Sequence, residues 1–296
     1  VGATGDCWHY WNFTPREPET MSRCFWRVAL LSLFAGFPTT VAAQDKPLWE
    51  FGLGAGALRV PDYRGAADST TYFAPIPYLI YRGRLLQVDR EGLHGDIFRT
   101  ERVKLDWSAA AGVPSKSRDD GPRAGMPDLD ATVEVGPSLE ILLHRNAAAQ
   151  REWSLRLPLR AVAATDLRSS QGAGWVFAPN FHLDMKRIGA GWEGSLAFGP
   201  MYATEAYHDY YYEVVPAFAT ATRPAYDAEG GYSGSRVTAI LSRRFDSFWL
   251  GGFARYDTLS GASFADSPLV KKKESFMIGI GMAWVYSESS RRVPAR

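Results

Sequence analysis

The stretch Glu274 to Tyr286 reads ESFMIGIGMAWVY, and its alternate residues divide sharply by size. Phe276, Ile278, Ile280, Met282, Trp284 and Tyr286 are large and apolar, while Met277, Gly279, Gly281, Ala283 and Val285 between them are mostly small. Side chains of a strand alternate between its two faces, so this spacing collects the bulk on one side. A half-buried strand in water sets apolar against charged residues. Bulky apolar set against small, with aromatics at the terminal end, fits a strand that meets lipid outside and a crowded lumen inside. The segment therefore predicts the closing strand of an antiparallel transmembrane β-barrel.

Composition agrees with that reading. The chain has 296 residues, 28 glycines, ten tryptophans and a formal charge of +1, a balance that gives no support to nucleic-acid binding. The mean hydropathy of -0.20 is too low for a helical membrane bundle but suits a barrel, where only alternate residues face lipid. Met21 opens a basic segment with Arg23 and Arg27, followed by an apolar run from Val28 to Phe37 and the small residues Val41-Ala42-Ala43. This is the pattern of a secretory signal peptide over residues 21–43, with cleavage before Gln44. Residues 1–20 lie upstream of that start and read as an extension from a start codon assigned too early. Cys7 and Cys24 both precede the cleavage point, so disulfides and thiolate metal sites are not expected in the barrel.

From residue 44 onward, segments of alternating hydrophobicity recur. Leu48–Leu58, Thr71–Tyr81, Val103–Ala111, Leu129–Leu143, Trp153–Ala163, Trp175–Met185, Trp192–Tyr202, Arg236–Phe245 and Phe248–Tyr256 precede the closing strand. Pro75 and Pro77 interrupt the second, which must be bent or locally unpaired because proline gives no N–H to a ladder. Leu85–Phe98 is one long strand or a hairpin turning near Glu91-Gly92. As one strand it makes eleven, and long loops fall on both ends. As a hairpin it makes twelve, and the loops at 113–128, 164–173, 203–231 and 257–273 all face the exterior. Twelve strands over residues 44–286 is the expectation, with ten as the alternative if the second and third segments are irregular. Residues 287–296 are then a periplasmic tail.

Several segments resemble the MipA/OmpV family of outer-membrane proteins. They are YDTLSGASFADSPLV from Tyr256, YHDYYY from Tyr207, AYDAEGGY from Ala225, FGLGAGALRVPDYRGA in the first strand and YLIYRG from Tyr78. The resemblance runs from Leu48 to Tyr286. It implies an outer-membrane barrel and, more loosely, a scaffold that links a lytic transglycosylase to a peptidoglycan synthase; passage of small solutes is the alternative.

The candidate sites follow from face and end. Lys104, Asp106, Asp130, Glu134, Glu140, Glu152, Arg156, Arg160, Asp184 and Glu193 take lumen-facing positions, and their mixed signs favour a paired lumen over an ion-selective pore. Gly281, Trp284 and Tyr286 have the spacing expected of a signal for the barrel-assembly machinery. Arg145, Arg151, Arg291, Arg292 and Arg296 form a basic, mobile periplasmic patch suited to an acidic partner. His182, Asp184 and Ser195 share the lumen, and His208-Asp209 lies on the longest outer loop among Tyr207, Tyr210, Tyr211 and Tyr212. The expectation there is an aromatic rim at the headgroups or an adhesive surface, and no catalysis. Gly52, Gly54 and Gly56 alternate along a strand, which is no phosphate loop. Lys271-Lys272-Lys273 is placed against lipopolysaccharide headgroups. No cofactor or metal is implied; lipid and lipopolysaccharide are the expected surroundings.

Overall fold

The computed structural model describes residues 45–83, 87–89, 92–166 and 168–293. The segments expected to be a signal peptide (21–43) and an upstream extension (1–20), and Arg296, lie outside them. The described part forms one compact unit. Its strands are β1 (Trp49–Pro61), β2 (Ser69–Arg82), β3 (Gln87–Asp89), β4 (Gly92–Arg99), β5 (Val103–Gly112), β6 (Ala131–Asn146) and β7 (Arg151–Thr165). Next comes β8, in two segments (Ser170–Phe177 and Asn180–Gly189), then β9 (Trp192–Ala203), β10 (Gly231–Arg244), β11 (Phe248–Thr258) and β12 (Glu274–Glu288).

Each strand pairs antiparallel with its sequence neighbours, and β12 pairs with β1. The pairing therefore returns on itself as a twelve-stranded barrel. Both segments of β8 lie between β7 and β9, so they are one wall strand interrupted at Ala178-Pro179. Closure pairs the strand edges that lipid cannot satisfy, except along β2 above its short contact with β3. The expected hairpin is present: β3 and β4 pair antiparallel, with Val88 opposite Leu93 and Asp89 opposite Gly92. One end of the barrel carries the long connections at 62–68, 113–130, 204–230 and 259–273. The other carries short turns and the chain end.

The period-two pattern is realised as face. On β12, Phe276, Ile280, Trp284 and Tyr286 are exposed on the outside, while Ala283 is fully buried. The glycines of β1 serve close approach at the β12–β1 seam. A Cβ on Gly54 would meet the Met282 carbonyl oxygen and come 2.5 Å from Ala283 Cα. The small residues of both strands thus let two backbones coil tightly together.

Pro75 and Pro77 leave β2 locally unpaired, as expected, but on one side alone; β2 and β1 pair without a register shift from Ser69 to Tyr81. What the prolines accompany is loss of pairing on the other side, where, among the described residues, β2 meets β3 only at Tyr81 and Arg82. Two expectations need correction. The last strand does not stop at Tyr286 but continues past a bulge to Glu288. Nor is the tail a mobile segment through residue 293. Arg292 and Val293 pair with Pro47 and Lys46, and the Leu48 and Ser289 amides donate to the Arg291 and Trp49 carbonyls. This two-strand clasp fastens the chain end against the residues that lead into β1.

Candidate functional site

The long-loop end is closed by a lid with its own apolar core. Tyr63 and Ala66 come from the first loop and Leu129 from the second. Tyr212, Val214 and Ala228 come from the loop after β9, and Leu259, Ala262, Phe264 and Leu269 from the last. Tyr212 and Phe264 stack with centroids 3.8 Å apart, and the Tyr63 hydroxyl donates to the Leu269 carbonyl at 2.8 Å. Each fully buried side chain of this size contributes about 1.5–3 kcal/mol, enough in sum to hold four loops as one body. Arg123 and Arg223 stitch the rim through backbone carbonyls: Arg123 donates to Tyr211, Arg223 to Pro122 and Ala124.

A helix, α1 (Glu205–Tyr212), fills the mouth beneath the lid. Tyr207, His208, Tyr211 and Tyr212 recur at helical spacing on one face, and that face turns inward. Tyr207 packs with Val162, Ala173, Val176, Met201 and Ala203 of the wall. The expectation of an aromatic rim at the headgroups is thus overturned, because these rings are core. The helical spacing was the signal that could have shown it.

His208 is fully buried, and its Nδ1 lies 2.6 Å from the Glu229 carbonyl oxygen, so Nδ1 carries the proton and donates. Ser263 Oγ is 3.3 Å from the same nitrogen but donates to the same carbonyl at 2.9 Å. A protonated Nδ1 cannot take a proton from that serine, so the pair is a structural bridge and no catalytic dyad. Burial lowers the pKa of His208 from its ordinary value; the contact with Glu229 opposes this and the charge of Arg64 adds to it. Such a group favours the folded lid above the ordinary pKa of about 6.5 and loses that contribution as pH falls toward the depressed value. Proteolysis within the lid should therefore accelerate between pH 7.5 and 5.5. His208→Asn should flatten the profile, and an unchanged profile in that variant would rule out this histidine as the cause.

Below the lid the lumen charges are matched, both along and across strands. Arg160 meets Glu134 at 2.8 Å, Lys104 meets Asp106 at 2.7 Å and Arg156 meets Glu140 at 3.6 Å. Glu152 lies between Arg145 (3.0 Å) and Lys186 (3.5 Å), and Glu193 is 4.0 Å from Lys46. Asp184 faces Ser195 across β8–β9, while His182 is opposite Ala197 and Ser154. Asp130 departs from expectation: it precedes β6, at the mouth, where its carbonyl accepts from Tyr210.

Two clusters were not anticipated. Glu50 is buried between Arg82 (2.6 Å) and Arg244 (3.2 Å) at the short-turn end. Asp257 is buried between Arg236 (2.8 Å) and Arg64 (3.1 Å) beneath the lid. A hairpin about Asp246-Ser247 already places Arg236 opposite Asp257, so the sequence carried that signal. Arg64 comes from a loop, and its position had none.

The expected periplasmic patch is partly engaged. Arg145 pairs with Glu152, and Arg292 with Glu288 at 3.2 Å. Arg151 and Arg291 are exposed at the same end, as are Arg102 and Arg187 on other turns. Of the assembly triad, Gly281 is buried, Trp284 and Tyr286 face outward, and Tyr286 meets Phe51 edge-on at 5.5 Å. Lys271 and Lys272 donate backbone amides to the Gly65 carbonyl, and Lys272 Nζ reaches the Ala67 carbonyl at 2.6 Å. Lys272 therefore bridges two lid loops, which differs from a role only at lipid headgroups.

Residues 53–286 match the family model described as MltA-interacting protein MipA. The chain belongs to the MipA family. The match covers the barrel from within β1 nearly to the end of β12, including the lid, and makes this an outer-membrane β-barrel protein. No curated protein matches. Among solved structures, the NanC porin is 7% identical, covers 79% of this chain and 98% of its own, and has a TM-score of 0.35. A bacterial polysaccharide outer membrane secretin is 8% identical over 80% and 99%, with a TM-score of 0.38. Outer membrane phospholipase A from Escherichia coli is 11% identical over 84% and 93%, with a TM-score of 0.34. At these scores the MipA assignment rests on the sequence family.

Proposed function

We propose that this MipA-family barrel is a scaffold in the outer membrane for peptidoglycan-remodelling enzymes, and that it is neither an axial channel nor an enzyme. The observation that carries the reading is the closure of the long-loop end by a shared apolar core, with matched charges in the lumen below. A solute following the axis would have to break buried pairs, and breaking such a pair is strongly unfavourable. The family description names an interaction with MltA, and together with the family resemblance this supports a cell-wall enzyme as a partner on the periplasmic side. Arg102, Arg151, Arg187 and Arg291 stand exposed at the short-turn end and offer a basic surface to an acidic partner. Gln44 begins the exported chain in this reading, and the barrel-assembly machinery reads the end of β12.

The test is a crosslinking pull-down from outer membranes at low and high salt, run beside single-channel recording. The unmodified protein should capture a lytic transglycosylase or a peptidoglycan synthase, less so at high salt, and show no steady current. A variant with Arg102, Arg151, Arg187 and Arg291 changed to serine should keep the barrel and lose the capture. Steady conductance with no such capture would favour the narrow channel.

A further inference from the structure

Among the described residues the barrel wall has an opening on its side. β2 is paired with β1 along its length but with β3 only at Tyr81 and Arg82. Across from it, β5 is paired with β4 only from Lys104 to Ser108, so Ala109–Gly112 have β6 alone as partner. The β3–β4 hairpin is too short to fill the wall above it. Among the described residues nothing pairs with the free edge of β2 from Ser69 to Ile80. The Tyr72 hydroxyl, donating to the Pro114 carbonyl at 3.2 Å, bounds this window toward the lid. The hairpin bounds it toward the short-turn end, so the window opens into the half of the bilayer nearer the long loops.

The edge is built to refuse a strand. The Arg82 amide donates toward β1, to the Leu48 carbonyl, so alternate residues Phe73, Pro75, Pro77 and Leu79 aim at the window. Two of these four positions are proline and present no N–H. A strand added here would find half its donors missing, which disfavours both a second copy and a foreign strand. Yet a bare edge at membrane depth is tolerated only where it is buried or lines a wet cavity. Lumen-facing Ala74 supplies that condition. It is exposed, whereas lumen-facing Thr132, Ser154 and Ser195 on the complete wall are buried.

The outer rim is apolar. Phe73 is 82% exposed, Leu79 and Trp107 are about half exposed, and Pro75, Pro77 and Ala111 complete the border. A hollow lined by Ala55, Gly56, Phe73, Ala74 and Pro75 adjoins it. We propose that the window is a lateral port that takes an acyl chain of a surrounding bilayer lipid from the membrane into the lumen. Small side chains at Ala74 and Ala110 leave the passage free. The polar lining at Ser108 and Arg160, which are 3.3 Å apart, lies behind it.

The test uses single-cysteine variants in a background with Cys7 and Cys24 changed to serine. Ala74→Cys and Ala110→Cys place a bimane probe on the lumen side of the window. Ala197→Cys places one on the lumen side of the complete wall, opposite His182 and Thr238. Each protein is reconstituted in vesicles of phosphatidylcholine with brominated or plain acyl chains, after heat-modifiable mobility has shown that it is folded. Quenching by brominated chains should be at least about twofold stronger at position 74 or 110 than at 197, since a closed wall keeps acyl chains outside. Either window position suffices if the other variant fails to fold. Equal quenching at all three positions, or none at 74 and 110, would overturn the port.

Discussion

Asp257→Ala is expected to unlock the lid. The carboxylate is 4% exposed and holds Arg236 of β10 and Arg64 of the first loop. Arg64 also donates to the Ser233 carbonyl at 2.6 Å, and its own carbonyl accepts from Tyr212 at 2.9 Å. One carboxylate thus ties a loop, the wall and the helix in the mouth. Arg255 lies on the same strand, two residues away, so the alanine variant leaves three guanidinium groups around a vacated anion position. Removing one partner of a buried pair costs about 3–5 kcal/mol, because the other charges stay buried without compensation. The expected result is a lower temperature for loss of the heat-modifiable form, rapid trypsin cleavage after Arg64, and anion-selective current steps in planar bilayers. Asp257→Asn should fall between the two proteins, since it keeps an acceptor and loses the charge. A variant with unchanged melting and no current would show that the lid does not depend on this carboxylate.

Gly54→Leu is expected to prevent the barrel from closing. Gly54 lies opposite Ala283 in the β12–β1 register. A side chain there would meet backbone, the Met282 carbonyl and Ala283 Cα, and backbone of a paired strand cannot move aside as a flexible side chain can. Overpacking alone costs about 1–3 kcal/mol; here it falls on the seam that completes the ring. The variant should be absent from the outer-membrane fraction and found degraded in the periplasm. Gly172→Ala, where an added Cβ meets nothing within 4 Å, should assemble normally and serve as the control. Normal abundance of the leucine variant would mean that the seam is looser than its geometry.

The fold was legible because a barrel writes itself in local terms. Phe276 to Tyr286 shows the two-residue period without reference to any other part of the chain. Loop lengths then chose the hairpin at Gln87–Arg99 over a single strand, since only an even count puts the long loops together. Legibility failed where structure depends on pairings distant in sequence. Tyr63, Leu129, Tyr212 and Phe264 look like loop residues one at a time, and become a core only when four loops meet. The clasp of Lys46-Pro47 with Arg292-Val293 is held by backbone groups, which leave no mark on residue type. Pro75 and Pro77 were read correctly as ladder breakers. The period could not say that only one of the two ladders would be broken.

The same clasp removes any privileged starting point from the ring. Lys46 and Val293 are register partners, so a linker of a few residues would join the ends of the barrel without moving a strand. The chain could then be cut in the short exposed connection after Thr165, making β8 the first strand and β7 the last. In such a permuted chain the β12–β1 seam becomes an ordinary hairpin neighbour. The lid would then be made by loops in a new order of synthesis. The barrel is, in this sense, a cycle that linear translation has opened at one of several equivalent places.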